Sequence, residues 1–177
     1  FLCGKPITSA ELGTAHLLCM QFINFEKCTD LSAVEEEIRR LKEKNIISEA
    51  QAKAVSAGRI WTFFESNVGK RMKAADKMLR EFKFSLLVPA SEVVKNALGE
   101  DEMLLQGVID CMFYENDEIC IIDFKTDKII NENLESAAQK HKNQLDIYAF
   151  AIERITKAKV KEKILYFFDA DKEYILK

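Results

Sequence analysis

An α/β fold, with helices packed on both faces of a sheet and a helical region ahead of it, is predicted by three features of this 177-residue chain. Up to about residue 79, apolar residues recur at helical spacing behind serine and threonine caps. From about residue 80, alternating and continuously apolar runs take over, at 81–88, 104–125 and 161–168. The central runs are apolar on both faces, and a strand buried on both sides needs helices above and below it.

Taken in order, Thr8-x-x-Glu11 is a capping-box pattern followed by Leu12, Ala15, Leu18 or Cys19, Phe22 and Ile23 at helical spacing, which predicts a helix over 9–25. Gly13 inside it costs about 1 kcal/mol relative to alanine and so marks close approach of another segment. Ser32-x-x-Glu35 opens a second helix with Val34, Ile38 and Leu41 inward and mixed charges outward. Ser48-x-x-Gln51 begins a third, which Gly58 can end. Short helices at 60–66 and 70–78 come next, with Trp61, Phe63 and Phe64 read as packing residues rather than a base-stacking platform. The strand at 81–88 puts Phe82, Phe84 and Leu86 on one face and stops at Pro89. Residues 90–99 read as loop or short helix, and 99–102 as a turn. Beyond the hairpin described below come a polar connection, a long helix over 134–155, a strand over 161–168, a turn and a last strand over 173–176. There is no internal repeat, low-complexity tract or Gly/Pro linker.

The stretch at 104–128, L-L-Q-G-V-I-D-C-M-F-Y-E-N-D-E-I-C-I-I-D-F-K-T-D-K, organises the rest. Asn116-Asp117 is an acceptable two-residue hairpin centre, because both residues tolerate positive φ. That centre pairs residues whose numbers sum to 233, so Asp110 faces Asp123. Alternation places Leu105, Ile109 and Phe113 on one face and Val108 and Met112 on the other, with Lys125 on the side of Asp123. Like charges directly opposite are destabilising, and Ile109, Cys111, Ile121, Ile122 and Phe124 surround them with apolar groups. A divalent cation held by oxygen ligands, with Lys125 as a second positive charge, answers that repulsion. The competing reading is a solvated strand-end aspartate and an ordinary Asp-Lys surface pair. In the long helix Gln144 and Tyr148 share a face that Ala151 and Ile155 continue. A glutamine there needs buried partners.

Composition sets the outer limits. The chain is 48% hydrophobic and 31% charged, a soluble globular balance, with no run of the roughly 20 apolar residues a membrane helix needs. Five scattered cysteines without C-x-x-C argue against disulfides, zinc and an iron–sulfur cluster and suit a reduced, cytoplasmic setting. The start at Phe1 suggests a piece of something longer. A net charge of −3 argues against an independent tight nucleic-acid binder, yet residues 69–84 carry six basic residues against two acidic ones. A solvated helix face and a DNA path explain that excess equally well. No G-x-x-x-x-G-K-[ST] is present, so there is no ATP site of that kind.

G-V-I-D110, then D123-F-K125-T-D-K, then Q144-L-D-I-Y148, in this order and spacing, resembles the RecB-type branch of the PD-(D/E)XK nucleases. R-E-F-K-F-S-L-L-V-P-A, L-L-Q-G-V-I-D and D-F-K-T-D-K are most similar to the C-terminal nuclease domain of AddA-type subunits of bacterial helicase-nucleases, and the likeness covers nearly the whole chain. The resemblance implies a restriction-endonuclease-like mixed β-sheet core at 80–177 flanked by helices, behind a helical region at 1–79, together one nuclease domain. It implies that Asp110 and Asp123, with the backbone carbonyl of Phe124, bind Mg²⁺, for which Mn²⁺ can substitute. Lys125 would stabilise the attacking hydroxide and the charge on the phosphate. Gln144 and Tyr148 would shape the site and touch DNA, with Glu81 an outer neighbour. The implied activity is a DNA nuclease, an exonuclease in type, in double-strand break repair and recombination. Its implied partners are DNA, an AddB-like protein and the rest of an AddA-like helicase chain. One departure stands in the first helix: the histidine ligand of the family's G-T-x-x-H pattern falls on Leu17, while a histidine stands at His16, about 100° round the helix. Either His16 reaches the site through a local rotation or the ion loses one protein ligand. His141 reads as exposed rather than catalytic. The rival to a nuclease is a non-catalytic DNA- or partner-binding domain that keeps the fold, against which stand both aspartates and Lys125. A free-standing exonuclease of the same superfamily differs only in context.

Overall fold

The computed structural model describes residues 7–94, 101–129 and 133–176. They form two compact units, one holding residues 7–74 with Phe124–Lys128 and Tyr166–Glu173, the other Ala75–Asp123 with residues 133–165 and 174–176.

The first unit is helical: α1 (Ser9–Phe22), α2 (Leu31–Glu43), α3 (Glu49–Ala54), α4 (Ala57–Glu65) and α5 (Asn67–Ala74). The capping box at α1 forms as expected, Glu11 Oε2 accepting from the Thr8 N–H at 2.8 Å and Thr8 Oγ1 accepting from the Glu11 N–H at 3.2 Å. Ser48 and Gln51 cap α3 in the same way. α1 stops at Phe22, short of the expected residue 25, because tertiary partners claim its end. Arg40 Nη2 donates to the Phe22 carbonyl at 2.9 Å, and the Asn24 N–H donates to Glu37 Oε2 at 2.7 Å. The inward face of α1 is Gly13, Ala15, His16, Cys19 and Met20, with Phe22 exposed, which corrects the expected stripe.

Asp30, not Ser32, caps α2, accepting from the Ala33 N–H at 2.8 Å. Val34, Ile38 and Leu41 are buried as expected, but so is Glu37 on the face read as charged solvent surface. Gly58 does not end α3; it lies in the first turn of α4, behind the Ser56 cap. Gly69 is required by the α4–α5 corner, where a Cβ would come within 2.0 Å of the Phe63 carbonyl oxygen. The core of this unit is aromatic, with Phe63 at 4.8 Å from Tyr166 and 5.2 Å from Phe124 between ring centroids, both edge-on. Phe63 and Phe64 are fully buried and Trp61 only partly.

The sheet is β1 (Met78–Pro89), β2 (Glu102–Glu115), β3 (Glu118–Lys125), β4 (Val160–Phe167) and β5 (Lys172–Leu176), in spatial order β1-β2-β3-β4-β5. β1 pairs with β2, and β2 with β3, antiparallel. The Ile119 N–H donates to the Lys159 carbonyl at the start of β3 and β4, and the Phe168 N–H to the Lys125 carbonyl at their ends. The two strands therefore run parallel and the sheet is mixed. A crossover of α6 (Leu134–Gln139) and α7 (Lys142–Thr156) joins them. The single helix expected over 134–155 is thus two, broken at Lys140 and His141, although no Gly or Pro lies in that span. Of the expected stripe on α7, Ala151 is buried but Ile155 is exposed. Between β1 and β2 a 3-10 turn occupies Ala90–Glu92, while most of the span read as loop or short helix, and part of the turn read at 99–102, lie outside the described residues.

One irregularity shapes the sheet. Phe82, Phe84 and Leu86 of β1 and Leu105 and Ile109 of β2 pack against Ala151 and Ile152 of α7. So do Leu79, Met112 and Tyr114, which regular alternation would put on the opposite face. Both strands change phase together at Glu81 and Asp110, so Met112 rather than Phe113 shares a face with Ile109, contrary to the strict pleat expected.

Candidate active site

The hairpin turn makes the site's geometry predictable. Asn116 and Asp117 both adopt positive φ, 51° and 65°, the type I′ conformation whose twist matches the flanking strands. The rungs Glu115↔Glu118, Tyr114↔Ile119, Phe113↔Cys120, Met112↔Ile121 and Cys111↔Ile122 all obey the expected sum of 233. Asp110 and Asp123 lie one step beyond the last of these rungs, Cys111↔Ile122. Asp123 is only 3% exposed, beside the fully buried Ile122, Cys111 and Ile109, and Asp110 is half-buried.

On the other side of Asp110 the β1–β2 register skips a rung. Arg80↔Cys111 and Phe82↔Ile109 are paired, and Glu81 stands between them opposite Asp110 with φ of 51°. Left-handed backbone at a non-glycine residue inside a strand costs about 1–2 kcal/mol. Asp110 thus stands one residue before the last β2–β3 rung and Asp123 one residue after it, and the backbone strain falls at Glu81, between the two β1–β2 rungs that flank it. Carboxylate and main-chain carbonyl oxygens are hard donors that suit Mg²⁺ or Mn²⁺. Among the described residues no three His, Cys, Asp or Glu side chains already converge as a metal cage. An open set of carboxylates and main-chain carbonyls fits an ion that keeps several of its waters.

β3 continues past Asp123 into Phe124, buried among Phe63 and Phe168, and Lys125, half-buried, whose carbonyl accepts from the Phe168 N–H at 2.9 Å. The aromatic packing of Phe124 holds the end of the strand rigid. On α7, Gln144 Nε2 donates to Tyr148 Oη at 2.8 Å, so part of the hydrogen bonding expected of that glutamine is met by its own helix. The Tyr148 ring meets Phe84 edge-on at 5.6 Å. His141 stands at the start of α7, partly buried, with no side-chain capping bond.

His16 departs from its expected role. It is 5% exposed, its Nδ1 lies 3.1 Å from the Leu12 carbonyl, and the Ser56 N–H donates to its Nε2 at 3.3 Å. An amide N–H can only donate, so Nε2 is the accepting nitrogen and Nδ1 carries the proton. Burial holds its pKa below the ordinary histidine value, with nearby Arg59 acting in the same direction. Both nitrogens of this neutral ring serve the backbone, which corrects the reading of His16 as a metal ligand. Leu17, at the family's histidine position, is 38% exposed.

Gly13 does mark a close approach: a Cβ there would come within 2.6 Å of Thr126 Oγ1. Beside it the helical unit contains a cavity of about 320 Å³, lined among others by Gly13, His16, Arg59, Thr126, Asp127 and Lys128. Its charges are balanced: Arg59 Nη1 donates to the Phe168 carbonyl at 2.7 Å and lies 3.4 Å from Asp169 Oδ1. Sequence reading missed Arg59, because its partners are more than a hundred residues away. It also missed the requirement for Gly107 in G-V-I-D. In the basic stretch at 69–84, Lys70 pairs with Glu65, Lys73 donates to the Cys28 carbonyl and Lys77 lies over the Tyr114 ring. These three basic residues have structural partners. Cys19, Cys28, Cys111 and Cys120 are free and buried, and Cys3 lies outside the described residues.

The family model of the PD-(D/E)XK nuclease superfamily matches residues 5–176. An ATP-dependent helicase/nuclease subunit of Bacillus cytotoxicus is 38% identical over 97% of this chain, and its counterpart from Clostridium novyi is 37% identical over 98%. The chain spans 14% of the length of these curated relatives. A solved structure described as "Crystal structure of SSO0001" aligns over 92% of this chain and 64% of that one, at 15% identity and a TM-score of 0.41, too distant to carry an argument. With a mixed sheet, a strand that carries D-x-K, and a family match over nearly all its length, the chain belongs to the PD-(D/E)XK nuclease superfamily.

Proposed function

We propose that this chain is one metal-dependent deoxyribonuclease domain, an exonuclease in type, that hydrolyses DNA phosphodiester bonds within a larger ATP-dependent helicase-nuclease. The observation that supports the reading is the well-formed β2–β3 hairpin, which carries Asp110 and Asp123 just past its last rung and Lys125 two residues further along β3, in a chain matched by the nuclease family model over residues 5–176. Asp110 and Asp123, with the Phe124 carbonyl, would hold Mg²⁺, or Mn²⁺ in its place. The ion when bound lowers the pKa of water and offsets charge on phosphoryl oxygens.

The chain's own residues supply the rest. Asp110 and Asp123 fix the site on two paired strands, where neither can drift without breaking the register. Lys125 places a positive charge toward the phosphate and the attacking water, a preorganised electrostatic contribution that needs no rearrangement during reaction. Glu81, through its strained backbone, holds a third carboxylate toward the pair and orients it. Gln144 and Tyr148 contact the DNA strand. The helicase function, a role in double-strand break repair and recombination, an AddB-like partner and a cytoplasmic setting are proposed from the relatives' kinship. Among the described residues no helix is long and apolar enough to cross a membrane.

The test is cleavage of end-labelled single-stranded DNA with Mg²⁺, with Mn²⁺ and with EDTA, in the wild type and in Asp123→Ala and Lys125→Ala. Metal-dependent cleavage lost in both folded variants supports the reading, and cleavage retained in either removes that residue's assignment. One observation favours a second reading, a binding domain that keeps the fold: the first helix offers Leu17 where the family's metal-binding histidine stands, and His16 is committed to the backbone. Inactive wild type restored by Leu17→His identifies a weakened metal site, and failure of that restoration moves the assignment to the binding domain.

A further inference from the structure

Gly107 of β2 faces Phe84 of β1 in the sheet register. A Cβ built on Gly107 would lie 2.7 Å from Tyr148 Cε1 and 2.8 Å from Cε1 and Cζ of Phe84. The space a side chain would fill is taken by the Tyr148 ring from α7. That ring is therefore held on three sides: by the bare backbone of Gly107, by Phe84 edge-on at 5.6 Å, and by Gln144 Nε2 donating to its hydroxyl oxygen at 2.8 Å. Its oxygen accepts, so its own proton is available to donate, and the side chain is only partly buried. A neutral donor fixed in this way suits an anionic phosphate oxygen.

We infer that Gly107 is a positioning residue for DNA binding: by having no side chain it lets Tyr148 lie across β2, where the phenol donates to a phosphate oxygen of the bound strand. The inference rests on the proposed nuclease reading and extends it to a residue three positions before Asp110 that touches neither metal nor phosphate. Replacement by alanine has a defined consequence. The atoms in the way are ring edges rather than backbone, so the strand accommodates a methyl group by moving the Tyr148 and Phe84 rings.

The test is the affinity of the intact protein for a fluorescently labelled single-stranded oligonucleotide, measured by anisotropy with Ca²⁺ in place of Mg²⁺, alongside cleavage. Gly107→Ala should weaken affinity about tenfold or more, the loss expected for one hydrogen bond to a charged group. Tyr148→Ala should do the same, and the double variant should be no weaker than either single one, because both remove one interaction. In the Gly107→Ala background, Phe84→Leu should restore part of the affinity by returning space to the ring. If Gly107→Ala fails to fold, Gln144→Ala leaves the strand untouched and should weaken affinity while melting as the wild type does. Additive losses in the double variant, wild-type affinity in either Gly107→Ala or Gln144→Ala, or no oligonucleotide binding by the wild type would each overturn the inference. A wild type that binds DNA but cleaves none with Mg²⁺ or Mn²⁺ sinks the nuclease reading alone, and the affinity comparison still decides the role of Gly107.

Discussion

Glu37 in α2 and Asp123 in β3 are both carboxylates withdrawn from solvent, at 4% and 3% exposure, and their surroundings differ in kind. Glu37 has its cation built in. Arg40 Nε and Nη2 reach it at 3.0 and 2.6 Å, and the Asn24 N–H adds a third donor at 2.7 Å. Asp123 lies one residue past the Cys111↔Ile122 rung, on the strand that also carries Lys125, and is the residue proposed to hold a metal ion. A carboxylate gripped by a built-in arginine stabilises a fold; one proposed to hold an ion serves something from outside it. The contrast separates structure from function more cleanly than burial does, since the two residues are equally buried.

The largest effect that could break this comparison is at Asp123. Asp123→Asn should lower metal-dependent cleavage by about 10³-fold with little loss of thermal stability, as expected of a residue kept for metal binding rather than for the fold. Added Mg²⁺ or Mn²⁺ should raise the melting temperature of the wild type and much less that of the variant. A variant that melts well below the wild type would place Asp123 in the same structural class as Glu37.

Arg40→Ala should do the reverse, leaving cleavage chemistry intact and stability reduced. A fully buried pair broken from one side loses about 3–5 kcal/mol, and the Arg40 side chain is 29% exposed, so about 2 kcal/mol is expected in urea unfolding. The pH dependence sharpens the same point. Burial by itself would raise the Glu37 pKa, but the bonds from Arg40 and the Asn24 N–H outweigh it and hold the carboxyl below its ordinary 4.5. The unfolded chain then takes up the proton first as pH falls. The stabilisation is fully present above about pH 4.5 and is lost as pH drops through the lower folded value. Unfolding free energies measured across that range should fall less steeply in Glu37→Gln than in the wild type.

The smallest expected change concerns a neutral group. The Tyr166 hydroxyl is buried among aromatic rings with no hydrogen-bond partner among the described residues, and burial pushes its pKa up. Tyr166→Phe should be neutral or stabilising, by up to about 1 kcal/mol. A clear loss of stability would mean that the hydroxyl has a buried water as its partner.

Legibility depended on range. The hairpin register could be read residue by residue, since Asn116 and Asp117 set the turn and the turn sets every rung from Glu115↔Glu118 to Cys111↔Ile122. The caps at Thr8 and Ser48 were legible for the same reason, their partners being three residues away. At α2 two cap candidates stood two residues apart, and local pattern alone chose Ser32 over Asp30.

Short-range chemistry, readable from the chain alone, thus settled the order of helices and strands, the hairpin and its register. Folding in three dimensions decided everything that depends on distant partners. Arg40 and Glu37 ended α1 early, the Leu12 carbonyl and Ser56 N–H took both nitrogens of His16, and Thr126 closed on Gly13. The left-handed backbone at Glu81 interrupts the β1–β2 ladder, and Gly107 left its space to a tyrosine forty-one positions further along. Periodicity and caps are set within a few residues, whereas the identity of the neighbour that fills a space or completes a hydrogen bond exists only once the chain has folded.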